Sequence, residues 1–195
     1  MANRQWIGGI ASVGICLALV LTACGNDGPT DEELFAQAEY LILEQRFDEA
    51  IPLLRLFLVR NPGHSGAHYY LGRCYYASPR NFWFTIADGE LRTALQMFKE
   101  DGRTSRIERF DDVYFELICH LDMARVRVQQ AVFLIETGGN PAIARSLLRR
   151  AEEAIERARE IDPDSPDVEL MQEGIDEIRR AIAPPEDIDT PGVLI

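Results

Sequence analysis

Apolar residues follow two different patterns along this chain. Ile7 to Val20 is an apolar run interrupted only by small residues. From Leu34 onward apolar and polar positions alternate in steps of three and four, the period of helices with one buried side. Leu34, Ala38 and Leu41 mark a first helix and Ala50 and Leu54 a second, with Pro62 as its stop. A third passes through His68, Leu71, Gly72 and Tyr75 to about Ala77, where Ser78-Pro79 halts it. A fourth is expected from Gly89 through Ala94 and Phe98 to the break at Asp101-Gly102. Arg106 to Thr137 carries one stripe, Phe110, Tyr114, Leu117, Leu121, Ala124, Val128, Ala131 and Ile135, and ends at Gly138-Gly139. Asn140-Pro141 supplies a cap and a first-turn residue to a helix striped by Ala144, Leu148, Ala151, Ile155 and Ala158. Ser165-Pro166 opens the last helix, with Val168, Met171, Ile175, Ile178 and Ile182 on one side and Pro184-Pro185 as its stop.

Three of these positions recur at a spacing of 34 residues: Leu34 with His68, Ala38 with Gly72, and Leu41 with Tyr75. His68-x2-Leu71-Gly72-x2-Tyr75 stands where the pattern W-x2-L-G-x2-Y of a tetratricopeptide repeat would sit, and Phe47-Asp48-Glu49-Ala50-x3-Leu54 fits its second helix. Over Leu34 to Phe98 the chain resembles a tetratricopeptide-repeat (TPR) protein. The pattern has a physical sense: Ala38 and Gly72 are small, so the second helix of each pair approaches closely. One pair cannot bury its apolar face alone, so pairs stack.

The expected fold is all-α. Residues 33–183 would form a short TPR-like, right-handed stack of antiparallel helix pairs, with an elongated last hairpin and a C-terminal capping helix. Tyr75 to Ala94 is ten residues longer than Leu41 to Ala50, which implies an insertion in the turn of the second pair. That insertion holds Asn81-Phe82-Trp83-Phe84; its rings either plug an end of the stack or offer a hydrophobic contact to a partner. In the last hairpin Ala144-x3-Leu148 and Ala151-x3-Ile155 fit the repeat equally well, so its register stays open.

Ahead of the helices, Arg4, the apolar run and Leu21-Thr22-Ala23-Cys24 have the layout of a secretory signal. A Cys directly after the small residue matches a bacterial lipobox, and this end of the chain resembles a lipoprotein precursor. The resemblance implies that 1–23 is a cleaved signal peptide and that Cys24 is diacylated on sulfur, as by palmitate. Two acyl chains hold a domain stably at a bilayer, since each buried methylene contributes about 0.8 kcal/mol. Gly25 rather than Asp follows Cys24, so the resemblance favours the outer membrane, facing the periplasm, over the inner membrane. Residues 24–32 would be the lipidated Cys and its tether, ending in a Thr30-x-x-Glu33 capping box. Residues 184–195 read as a disordered acidic tail.

Charge narrows the partners. Cleavage would leave 19 basic against 32 acidic residues, a net of −13. Nucleic acid demands Lys and Arg against its phosphates and is not expected as a partner. Cys74 and Cys119 read either as small buried residues or as a bridge, which geometry decides. His64 and His68 lie i, i+4 without further ligands at metal spacing, and His120 cannot share a helical face with Cys119. No catalytic residue, metal, cofactor or small-molecule substrate is assigned, and the chain is not read as an enzyme.

The TPR resemblance places a groove on the first helix of each pair. Its positions here are Glu32, Phe35, Glu39 and Ile42, then Gly66, Tyr69, Arg73 and Tyr76. Aromatic rings around an arginine suit peptide binding. With so few repeats, such a groove is either open or partly filled by the chain's own later helices. The reading that follows is a membrane-anchored envelope adaptor that binds other proteins. Its rival is a structural subunit of a larger outer-membrane or periplasmic complex, held there through Phe82-Trp83-Phe84.

Overall fold

In the computed structural model, which describes residues 28–78 and 83–182, the two best repeat matches begin 34 residues apart and have equal length. Helix α1 is Asp31–Leu43 and α3 is Ser65–Ala77, each of 13 residues, so Leu34 and His68 are both the fourth residue of their helix. Between them runs α2, Phe47–Arg60, and after them α4, Phe84–Glu100. The chain continues as α5, Asp112–Glu136, α6, Pro141–Ile161, and α7, Pro166–Ala181. No strand occurs among the described residues, and no described helix is long and apolar enough to cross a membrane. The expected signal peptide (1–23), Cys24, Phe82 and the tail (184–195) lie outside the described residues.

Each helix packs on the next, and α1 touches α3, α3 touches α5 and α5 touches α7. The backbones of the even helices do not approach one another, although the Arg150 side chain of α6 reaches Asp88 of α4. A stack whose odd helices are neighbours while its even helices are splayed curves toward the odd side. This is a TPR-like, all-α stack of antiparallel pairs with α5–α6 as the elongated hairpin and α7 as the terminal helix. These helices all lie in one compact unit that begins at Asp31.

The boundaries follow local chemistry. Asn140 accepts from the Ala142 amide with Pro141 in the first turn, and Asp111 accepts from the Tyr114 amide at 2.7 Å. Gly138 ends α5 in the left-handed conformation (φ 71°), with the Gly139 amide donating to the Leu134 carbonyl. Two expectations need correction. Helix α4 starts at Phe84 rather than Gly89, so part of the insertion is an extra turn of helix instead of loop. Helix α5 is buried beyond its expected stripe. Phe115, Cys119, Met123 and Val126 are in the core, whereas Tyr114 and Ile135 of the stripe are exposed. A central helix covered from two sides loses the one-faced pattern that marks a surface helix.

The small residues act as expected. A Cβ at Gly72 would sit 2.9 Å from Leu91 Cγ and 3.2 Å from the Ala87 carbonyl, so α3 and α4 cross with no room for a side chain. Cys74 and Cys119 are both buried and both free, which settles the pairing question against a bridge. Burial pushes the Cys74 thiol up to about 12. The core is pinned by a charged cluster as well. Arg127 Nε on α5 donates to Asp88 Oδ1 of α4 at 2.7 Å, and Arg127 Nη1 donates to the Arg150 carbonyl of α6 at 2.7 Å. Arg150 and Arg92 close on the other carboxylate oxygen at 3.3 and 3.1 Å. Burial lowers the Arg127 pKa, and Asp88 works against that shift.

Close packing at Gly72 is directly measurable. Gly72→Val is expected to destabilise the domain by about 2 kcal/mol, because overpacking a filled core costs roughly 1–3 kcal/mol. Gly174→Ala, mid-helix in α7 with nothing within 4 Å of its new methyl, is expected to stabilise by about 0.5–1 kcal/mol. Urea denaturation of both variants checks the contrast.

Candidate functional site

The odd-helix side does not present the groove residues as one open surface. Ile42 and Tyr69 are core residues, and Gly66 lies against Ile107, whose Cγ1 would be 2.6 Å from a Cβ there. Phe35 is half-buried under Phe57, His64 and Tyr70, its ring 5.1 Å from that of Phe57. Glu39 accepts from Tyr70 Oη at 2.9 Å. The later helix α5 fills part of it, its Phe115 ring 5.6 Å from that of Tyr69, and the α4–α5 connector fills the rest. It buries Ile107, sets Phe110 edge-on to Tyr69 at 5.9 Å and lays the Arg109 guanidinium 5.5 Å over the Tyr70 ring. Of the expected residues only Glu32 is exposed, while Phe35, Glu39, Arg73 and Tyr76 are half-buried.

The aromatic insertion is likewise drawn inward over its described residues. Trp83 is half-buried with its ring 4.9 Å from that of Tyr75, and Phe84 is 8% exposed, 6.1 Å from Phe133.

An open cleft lies farther along the same side, between α3, α5 and the start of α7. It has a volume of about 290 Å³. Arg73 and Tyr69 come from α3, Tyr114, Ile118, Asp122 and Arg125 from α5, and Asp162, Ser165 and Asp167 from the entry to α7. Asp122 is the centre of its floor. Tyr69 Oη donates to Asp122 Oδ2 at 3.0 Å, Arg125 donates to Oδ1, and Arg73 Nε stands 3.8 Å from Oδ2. The Arg73 guanidinium also covers the Tyr69 ring at 5.9 Å. Burial raises the Asp122 pKa, while Arg125, Arg73 and the Tyr69 hydroxyl pull it back. Burial also drives the Tyr69 hydroxyl far up, so it stays a donor.

Chemically this is a polar floor with two half-exposed guanidiniums, an apolar wall at Ile118 and an acidic rim at Asp162 and Asp167. It can hold one or two residues of a peptide by side-chain hydrogen bonds and ring contact. Sequence reasoning missed Asp122 and Arg125. The available signal was a charged residue set among apolar neighbours, Leu121-Asp122-Met123, in a helix that otherwise read as one stripe.

The histidines serve the scaffold. His64 caps α3, its Nδ1 accepting from the Ala67 amide at 3.0 Å. His68 bridges α3 to Glu90 of α4 at 2.7 Å and to the Pro62 carbonyl at 2.9 Å. Burial lowers the His68 pKa, but Glu90 and the Pro62 carbonyl outweigh it and the net shift is upward. His64 and His120 go the other way, both to about 4, with burial as the main cause and a nearby arginine or lysine adding to it. Among the described residues no group of His, Cys, Asp and Glu could hold a metal ion.

Two measurements test this arrangement. Asp122→Ala is expected to cost about 2 kcal/mol, since it leaves the buried Tyr69 hydroxyl unpaired, and Tyr69→Phe about 1 kcal/mol. The double variant should lose less than the sum, because the two groups share one hydrogen bond.

His64 and His120 are neutral in the fold and bind protons more readily when unfolded. Their contribution is therefore complete above pH 6.5 and lost as pH falls toward 4, whereas that of His68 is complete at low pH and lost as pH rises. For His120 the gap from 6.5 to about 4 corresponds to up to about 3 kcal/mol. Urea midpoints at pH 7 and 4.5 should show a smaller acid loss in His120→Leu than in the unchanged chain. No protein-family model matches this chain, and no curated protein matches it in sequence.

Proposed function

We propose that this chain is an adaptor of a bacterial envelope, held at a membrane by an acylated Cys24 and binding other proteins through the odd-helix side of its stack. The anchor is supported by Leu21-Thr22-Ala23-Cys24 after an apolar run, seven residues before the first helix at Asp31. The outer membrane, facing the periplasm, is the favoured location because Gly25 follows Cys24.

The binding role rests on one observation, the open cleft at Asp122. Arg73 and Arg125 reach it with their side chains 39% and 40% exposed, while Asp122 between them is buried and already shared. Two partly neutralised guanidiniums next to exposed Tyr114 and half-buried Tyr76 form a surface on which a peptide finds both hydrogen bonds and ring contacts. The rival role, a subunit fixed through Phe82-Trp83-Phe84, has less support. Two of those rings are occupied by Tyr75 and the core.

Tyr114→Ala combined with Arg125→Gln alters the cleft at two of its more exposed lining residues without adding charge beside the buried Asp122. It should abolish capture of a partner from membrane extracts while the helical circular-dichroism signal stays unchanged; unaltered capture would remove the cleft from this reading. Separately, Cys24→Ala should stop palmitate labelling and move the protein from the membrane to the soluble fraction.

A further inference from the structure

The internal repeat says what normally covers the outer side of a first helix. Helix α3 meets the preceding pair through Ala67, Tyr70 and Cys74, each fully buried. Tyr70 packs 5.9 Å from Phe35 and bonds Glu39, and Ser78 at the end of α3 bonds Asp48 of α2. Thirty-four residues earlier the same positions are Glu33, Ala36 and Tyr40, with Leu43 matching Ala77. On α1 this side is bare: Tyr40 is 57% and Leu43 64% exposed, and Ala36 and Gln37 are exposed beside them.

The other end of the stack is finished differently. The loop Asp162-Pro163 before α7 matches Asn61-Pro62 before α3, which aligns Gln172, Glu173 and Asp176 with Leu71, Gly72 and Tyr75. Where α3 receives its partner helix on apolar residues, α7 offers amide and carboxylate groups. A polar outer side is what a solenoid terminus requires, and α1 lacks it.

Charge selects the occupant. Helix α1 has exposed Glu32 and Glu33 in its first turn, is followed by exposed Glu44, and contains no lysine or arginine, while its Asp31 and Glu39 are held by Arg60, Asn61 and Tyr70. Pairing α1 with α1 of a second copy would set carboxylates against carboxylates. Head-to-tail pairing would set Tyr40 and Leu43 against the polar side of α7. A helix with an apolar stripe flanked by lysine or arginine meets both requirements.

We propose that the outer face of α1, centred on Tyr40 and Leu43, docks a basic amphipathic helix of a partner protein, which continues the stack as a preceding second helix would. This surface is separate from the cleft at Asp122 and does not depend on it.

The probe is a labelled synthetic leucine-lysine helix of about four turns, titrated against the full-length chain by fluorescence anisotropy. A leucine-glutamate helix with the same stripe is the charge control. Tyr40→Glu with Leu43→Glu should weaken leucine-lysine binding by about tenfold or more, about 1.4 kcal/mol, although it adds negative charge. Leu170→Glu, on exposed α7, should leave it unchanged. The leucine-glutamate helix should not bind.

Equal affinity for all variants would reduce the effect to unspecific charge attraction and overturn the proposal. Binding of the leucine-glutamate helix would overturn the charge assignment. A dimer in sedimentation that Tyr40→Glu/Leu43→Glu converts to monomer would make a second copy the occupant and overturn it equally.

Discussion

Helix α5 is covered from both sides, and its position is fixed by two carboxylates that face opposite ways. On one side Asp88 of α4 holds Arg127, which also ties down the α6 backbone at Arg150. On the other, Asp122 takes the hydroxyl of Tyr69 from α3 and the charge of Arg125. Apolar packing is permissive about helix rotation, since one buried aliphatic surface slides over another at little cost. A buried charge is not permissive, because any rotation that separates Arg127 from Asp88 leaves two ions in a medium that solvates neither. The pair therefore selects one register for α4, α5 and α6 rather than adding greatly to net stability.

That register also places the cleft. Asp122 can sit at the floor of an opening only because Arg127, five residues on, faces away from it. The same rotation turns Tyr114 and Arg125 outward beside Arg73 of α3. Scaffold and site are thus two consequences of how one helix is turned. The connector before α5 completes the arrangement. By inserting Ile107 over Gly66 and Phe110 against Tyr69, it fills the part of the odd-helix side nearer α1 and leaves the part nearer α7 open.

The two ends of the stack are unlike for a related reason. In a repeat array each helix pair supplies the surface on which the next is built, so an end is stable in water only if its last surface is polar. Helix α7 meets that condition with Glu173 and Asp176 at positions where α3 has Gly72 and Tyr75. Helix α1 keeps Tyr40 and Leu43 outward, which gives the domain a direction as well as a curvature.

Local order was legible before any coordinates. Helix type, the 34-residue register of α1 and α3, the closeness required at Gly72, and the starts of α6 at Pro141 and α7 at Pro166 all follow from short-range steric and first-turn preferences, which act over a turn or two of chain. The proposed lipid anchor at Cys24 rests on a sequence resemblance alone. What tertiary structure decided involves residues far apart in sequence. Burial of Tyr69, which the repeat pattern assigned to a groove, depends on the connector and on α5, about forty residues or more away. The early start of α4 depends on Trp83 finding Tyr75 and on Phe84 finding Phe133. Asp122 and Arg125 become a site only when α3 and α7 arrive on either side of α5. A one-dimensional pattern records which residues prefer burial, but it does not record which segment will bury them. That choice is made by packing and by the pairing of a few charges.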